Sequence, residues 1–193
     1  MDPFKVYKQL LENYLHKEII PLLEQAWNEP HRYWHNKNHL EKVIECIDKN
    51  RFNLNTFNYD ALILASFFHD CYYNPRENKN NEDESIKRFL SSYDNKDINL
   101  RNLVVEMINA TRYRKVPQQY IIKLFWEADN NIFYESYDNL LKWEQLIKKE
   151  NQHVFESIYK KKRIEFLKTN LGLFNKIVDE NLEKLIKYVK EKY

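Results

Sequence analysis

Residues 59–70 read YDALILASFFHD, and between Ala61 and Phe68 only Ser66 is polar. No other part of the chain is so continuously apolar. A helix with this pattern has no solvent-facing side, so the segment is expected to be a central helix covered on most sides by its neighbours. It ends abruptly in His69 and Asp70, two groups that are costly to bury without partners.

The chain around this segment also reads as helical. It contains one glycine, Gly172, in 193 residues. Hairpins, tight turns and phosphate-cradling loops use glycine for positive φ or close backbone approach, so an all-α fold is expected and a P-loop or dinucleotide fingerprint is excluded. Apolar residues recur at helical spacing, as in Leu10, Leu11, Tyr14 and Leu15, and again in Leu40, Val43, Ile44 and Ile47. Pro21 is expected to divide the first helix, Asp97 to cap a later one, Pro117 to open another, and Gly172 to sit at a helix C-cap. The polar stretch NPRENKNNED (74–83) reads as a loop. These signals predict an irregular multi-helix bundle of about eight or nine helices. With no repeat and no linker, residues 1–193 are expected to form a single domain.

Basic residues number 31 and acidic ones 29. This balance gives no field for nucleic acid, which is therefore not an expected partner. Cys46 and Cys71 lack the spacing of a zinc or redox pair, and no apolar run reaches transmembrane length. With no signal-peptide core at the N-terminus, a cytoplasmic protein without a membrane partner is expected.

Candidate chemistry lies in three places. RYWHNKNHL (32–40) carries His35 and His39 four residues apart, which on a helix would place both imidazoles on one face. Such a pair is a natural metal half-site, and is equally open to a structural role. FFHD places His69 and Asp70 at the end of the central helix. LFWEAD places Asp129 at the end of another apolar helix. Taken alone, His69 and Asp70 also read as a neutral imidazole and a capping or salt-bridged carboxylate at a helix end, and Asp129 reads first as an end-of-helix surface residue.

Taken in order, H-N-x-x-H, then H-D, then D resembles the HD superfamily of metal-dependent phosphohydrolases. The resemblance extends from about residue 30 to residue 170, to a small branch that begins R-x-Y-H-N-x-x-H. The branch's N-E-x-x-S element matches Asn81, Glu82 and Ser85, its I-x-x-T element Ile108–Thr111, and its A-D element Ala128–Asp129. The IKKE segment ending at Glu150 and the stretch from Arg163 to Leu167 echo its later pieces. The H-N-x-x-H stretch is also similar to cyclic-nucleotide phosphodiesterases. This resemblance implies an HD-type fold, with His39, His69, Asp70 and Asp129 as ligands of one divalent metal ion (Mn, Fe, Co, Ni, Zn or Mg). Catalysis would be shared by Asp70 and by His35, which would act as general acid toward the leaving group. The implied activity is hydrolysis of a phosphomonoester or phosphodiester by metal-activated water, with a phosphorylated small molecule, in analogy a nucleotide, as partner.

Two departures stand out. Trp34 replaces the branch's tyrosine, and Arg114 occupies the histidine position of its T-x-x-H element. No histidine lies between His69 and His153, so a second, histidine-built metal site is not expected; any second ion would rest on Asp70 and Glu82. Arg114 would instead reach a substrate phosphate as a planar fork, or be an exposed helix-end residue. Arg32 and Glu82 complete the candidate substrate-binding set, each with an ordinary salt-bridge or helix-dipole role as the alternative. Tyr72, Tyr73 and Trp34 are candidates to stack on a base, and YKKKR (159–163) is expected to be a solvated helix face. The competing expectation is an HD module without turnover, acting in nucleotide binding or protein interaction.

Overall fold

The computed structural model describes residues 2–77 and 80–193. Among them it is all-helical, with eleven α-helices and two short 3-10 turns. The helices are α1 (Pro3–Val6), α2 (Lys8–Tyr14), α3 (Ile19–Trp27), α4 (Lys37–Asp48), α5 (Thr56–Phe68), α6 (Asn81–Ser92), α7 (Ile98–Thr111), α8 (Tyr120–Asp129), α9 (Tyr137–Glu150), α10 (Glu156–Thr169) and α11 (Lys176–Lys192). No helix is long and apolar enough to cross a membrane among the described residues.

α5 is the expected central helix. Asn55 opens it, its side chain accepting from the Asn58 N–H at 2.8 Å. Every residue from Ala61 to Phe68 is buried, and α4, α6, α7 and α8 all pack against it. Around α5 a first core gathers Leu11, Trp27, Leu40, Phe89, Val104 and Phe125 from α2 to α8. The Trp27 indole N–H donates to the Phe67 carbonyl at 2.9 Å, and Phe4 meets the Phe67 ring edge-on at 4.9 Å. A second core, built on Phe133, Leu140, Trp143, Leu182, Leu185 and Val189, joins α9, α10 and α11.

The helix count exceeds the expected eight or nine because the N-terminal segment divides twice. Pro21 does not divide it. Pro21 lies in the first turn of α3, where its missing N–H has no intrahelical partner to lose. The break falls at Leu15, which turns extended and forms an isolated antiparallel bridge with Tyr93. The His16 N–H bonds the Ser92 carbonyl at 3.0 Å and the Asp94 N–H bonds that of Tyr14 at 2.9 Å. Such a long-range pairing leaves no local signal.

Other boundaries also shift. Pro117 precedes its helix, which begins at Tyr120. The expected loop at 74–83 gives way to α6 at Asn81, with Asn78 and Lys79 outside the described residues. Asp97 does cap α7, accepting from the N–H groups of Asn99 and Leu100 at 3.0 Å each. Gly172 adopts φ +78°, three residues beyond the end of α10. The YKKKR run is not wholly solvated, since Tyr159 and Arg163 turn inward.

Phe67 joins α1, α3 and α5, so its truncation tests the first core. Phe67→Ala is expected to cost about 3–5 kcal/mol. Urea unfolding should show a lower midpoint with an unchanged slope; an unaltered midpoint would contradict this packing.

Candidate metal centre

Three helix ends meet in the first core. Asn36 is the N-cap of α4, accepting from the Asn38 N–H at 2.9 Å, and this places His39 on the first turn with its ring turned inward. His69 closes α5, its N–H bonded to the Ala65 carbonyl at 2.9 Å, and Asp70 follows. Asp129 is the last residue of α8.

The four side chains converge. Nε2 of His39 lies 3.1 Å from Nε2 of His69 and 3.2 Å from Oδ1 of Asp129. Nε2 of His69 lies 3.3 Å from Oδ2 of Asp70 and 3.4 Å from Oδ1 of Asp129. His39 and Asp70 stand 3.8 Å apart. Two ligands of one ion, each at about 2.1 Å from it, must stand about 3 to 4 Å from one another. The observed spacings match that requirement. His39, His69 and Asp70 each offer an atom within 4.8 Å of the others, so the cluster could hold a metal ion.

The electrostatics of the cluster without a cation agree. Burial pulls the His69 pKa down, but the charge of Asp70 and the hydrogen bond to Asp129 push it up to about 9. His39 moves the other way, because burial outweighs its carboxylate neighbours. Burial alone would raise Asp129, yet the two imidazoles hold it well below the carboxylate range. Without a cation, a proton on His69 is the positive charge that faces the carboxylates. His69 Nδ1 faces the Ser66 carbonyl at 2.9 Å and donates to it in the neutral tautomer, leaving Nε2 bare toward the cluster. His39 Nδ1 is buried with no partner among the described residues.

His35 stands beside the cluster rather than in it, its ring centre 6.0 Å from that of His39. The expectation that both lie on one helix face is corrected. His35 precedes the N-cap of α4, and its position is set by Glu150 at the end of α9. Glu150 accepts from the backbone N–H groups of Trp34 and His35 through Oε1, at 2.7 and 2.9 Å. Its Oε2 faces His35 Nδ1 at 2.7 Å and accepts from the Tyr73 hydroxyl at 2.8 Å. Burial would lower the His35 pKa, and the charge and hydrogen bond of Glu150 reverse that, so it is raised overall. Burial would likewise raise Glu150, but His35 draws it down to about 2.

Glu150 was visible only as an echo of a family element. The signal was its phase: Trp143, Ile147 and Glu150 share one buried stripe of α9, and a carboxylate there needs partners.

The substrate-binding set is revised. Arg32 is not available to a ligand: its side chain is fully buried and clamps the His35 carbonyl at 3.1 Å, the Asp70 carbonyl at 2.6 Å and Glu29 at 2.8 Å. Glu82 faces Arg112 at 4.0 Å, and burial followed by the nearby Asp70 charge raises its pKa. A carboxylate so placed suits holding a cation, not a phosphate. Tyr73 is unavailable for base stacking, since its ring lies against His35 at 4.2 Å. Trp34 packs on Trp143 and His39. Arg114 remains well placed. With His35, His39 and Asp129 it lines a cavity of ≈ 160 Å³ at the seam of the two cores.

Comparison with protein-family models, with curated proteins and with solved structures finds no match to this chain.

Titrating chelator-treated protein with Mn²⁺ or Zn²⁺ tests the cluster. Saturable binding is expected, with a rise in melting temperature, and both are expected to vanish in His69→Ala and Asp70→Ala. His35→Ala should bind as the unaltered protein does; lost affinity there would make His35 a ligand.

Proposed function

We propose that the protein is a metal-dependent phosphohydrolase of the HD type, acting on a phosphomonoester or phosphodiester, with nucleotides as the substrate class the family resemblance favours. The observation that carries this reading is the convergence of His39, His69, Asp70 and Asp129, with His35 alongside. A divalent cation held by those four residues would polarise a phosphoryl oxygen and lower the pKa of a water. His39, His69, Asp70 and Asp129 are buried or largely so, which keeps competing solvent from the site.

His35 would be the proton donor to the leaving oxygen. Glu150 fixes its Nδ1 side, so Nε2 is the atom free to give a proton, and its side chain keeps 23% of its exposure. The raised pKa favours the protonated imidazole that an acid requires. Arg114 would neutralise the phosphoryl group.

A second reading, a binding module without turnover, draws on Arg114 standing where the resembled family has a histidine. A panel of nucleotides, phosphomonoesters and phosphodiesters with Mn²⁺, Mg²⁺, Ni²⁺ and Co²⁺ separates the two. Hydrolysis is expected; metal and nucleotide binding without hydrolysis of any member would establish the module.

His35→Ala is expected to lower kcat by roughly 10²–10⁴-fold with metal still bound. Glu150→Gln tests the proton donor by pH. The active form is protonated His35, so activity falls as pH rises through its pKa. Removing the Glu150 charge leaves only the weaker Asp70 charge to oppose burial and lowers that pKa. The alkaline limb of kcat/KM should therefore move to lower pH, and an unmoved limb would assign the proton to another group.

A further inference from the structure

The cavity beside the metal centre has a second wall, contributed by the C-terminal core. Arg163, Trp143 and Phe166 line it together with His39, Asp129 and Arg114. Both guanidiniums lie over the one Phe166 ring, Arg114 at 4.4 Å and Arg163 at 4.8 Å from its centre. Like charges brought together on an aromatic platform repel, and burial, then the Arg163 charge, lower the Arg114 pKa against the opposing pull of Asp129.

The hydrogen bonding of this wall is incomplete. Arg163 is nine-tenths buried, and its Nε donates to Glu144 at 2.6 Å. Glu144 also takes the Tyr159 hydroxyl at 2.7 Å, so both its oxygens are engaged. Nη2 of Arg163 and Nε1 of Trp143 are buried with no partner among the described residues. Arg114 makes one long contact, 3.4 Å to Oδ1 of Asn130, and no salt bridge among the described residues. Leaving a buried donor unmatched is costly, the more so when it is charged. Both donors belong to residues that line the one cavity, beside a weakly held guanidinium, and a small shift of either side chain would turn them to an acceptor-rich guest.

We propose that this cavity is an oxyanion subsite, in which Arg114, Arg163 and the Trp143 indole N–H hold a phosphate group of the substrate next to the one at the metal centre. The inference rests on the phosphohydrolase reading and narrows its substrate class to compounds with adjacent phosphates, such as a phosphoanhydride. The volume supports a compact group. At ≈ 160 Å³ the cavity is about half the lower bound for drug-sized ligands, so it takes a phosphate and leaves any base outside. Planar guanidiniums suit such a group because they present paired N–H donors to two oxygens.

Calorimetric titration of chelator-treated protein with inorganic phosphate and with pyrophosphate tests the subsite apart from turnover. Saturable binding is expected, weakened roughly tenfold in Arg163→Lys and in Trp143→Phe. Arg163→Lys keeps the charge opposite Glu144, Trp143→Phe keeps an aromatic ring, and thermal melts of both confirm folding. No saturable binding, or unchanged affinity in both folded variants, overturns the proposal. His69→Ala should lose turnover while binding phosphate like the unaltered protein. With active enzyme, Arg163→Lys should reduce kcat/KM for pyrophosphate-type substrates more than for p-nitrophenyl phosphate. Equal loss for both overturns the proposal while leaving the phosphohydrolase reading intact; phosphate binding in a protein with no hydrolysis does the reverse.

Discussion

Two imidazoles and two carboxylates share a point inside an apolar helical core, and the structure is arranged around that constraint. An isolated ion there would cost several kcal/mol even after relaxation. The groups therefore tolerate burial only together, with proton or cation balancing charge, and their helices must bring each imidazole within about 4 Å of each carboxylate. This fixes where α4 begins and where α5 and α8 end, since His39, His69 and Asp129 occupy those termini. A one-residue shift of any helix would rotate its ligand by about 100° and leave the others unpaired.

The neighbourhood of this point is held by two long-range clamps. Arg32 ties the segment before α4 to the turn after α5 through the carbonyls of His35, Asp70 and Cys71. Glu150 ties the same segment to α9 through two backbone N–H groups and the His35 ring. Both clamps are charged groups made tolerable by several hydrogen bonds each. They explain how a loop histidine, outside any helix, is held at a defined distance from the cluster. They also make the site a product of both cores, because α9 belongs to the second and α4, α5 and α8 to the first.

Much of the candidate cluster was legible from the chain. His69 and Asp70 stand out because they end an otherwise uninterrupted apolar helix, and Asp129 repeats that arrangement in α8. The role of Arg32 was not legible, since an arginine beside histidines looks the same whether it meets a phosphate or three carbonyls. Neither was the inward turn of Arg163, which its lysine-rich surroundings disguise. The shared face that i, i+4 spacing offered His35 and His39 does not form, because it requires both residues to be helical and Asn36 starts the helix after His35.

Local pattern thus determined the helical class, the central place of residues 59–70 and the residue types able to bind a cation, because periodicity and burial cost act on neighbours in the chain. Tertiary structure alone decided where the first helices break, which arginines are consumed in clamps and which line a cavity, and that Glu150 orients His35. Those outcomes depend on groups brought together across as many as 116 positions, and no local preference of either partner encodes such a meeting.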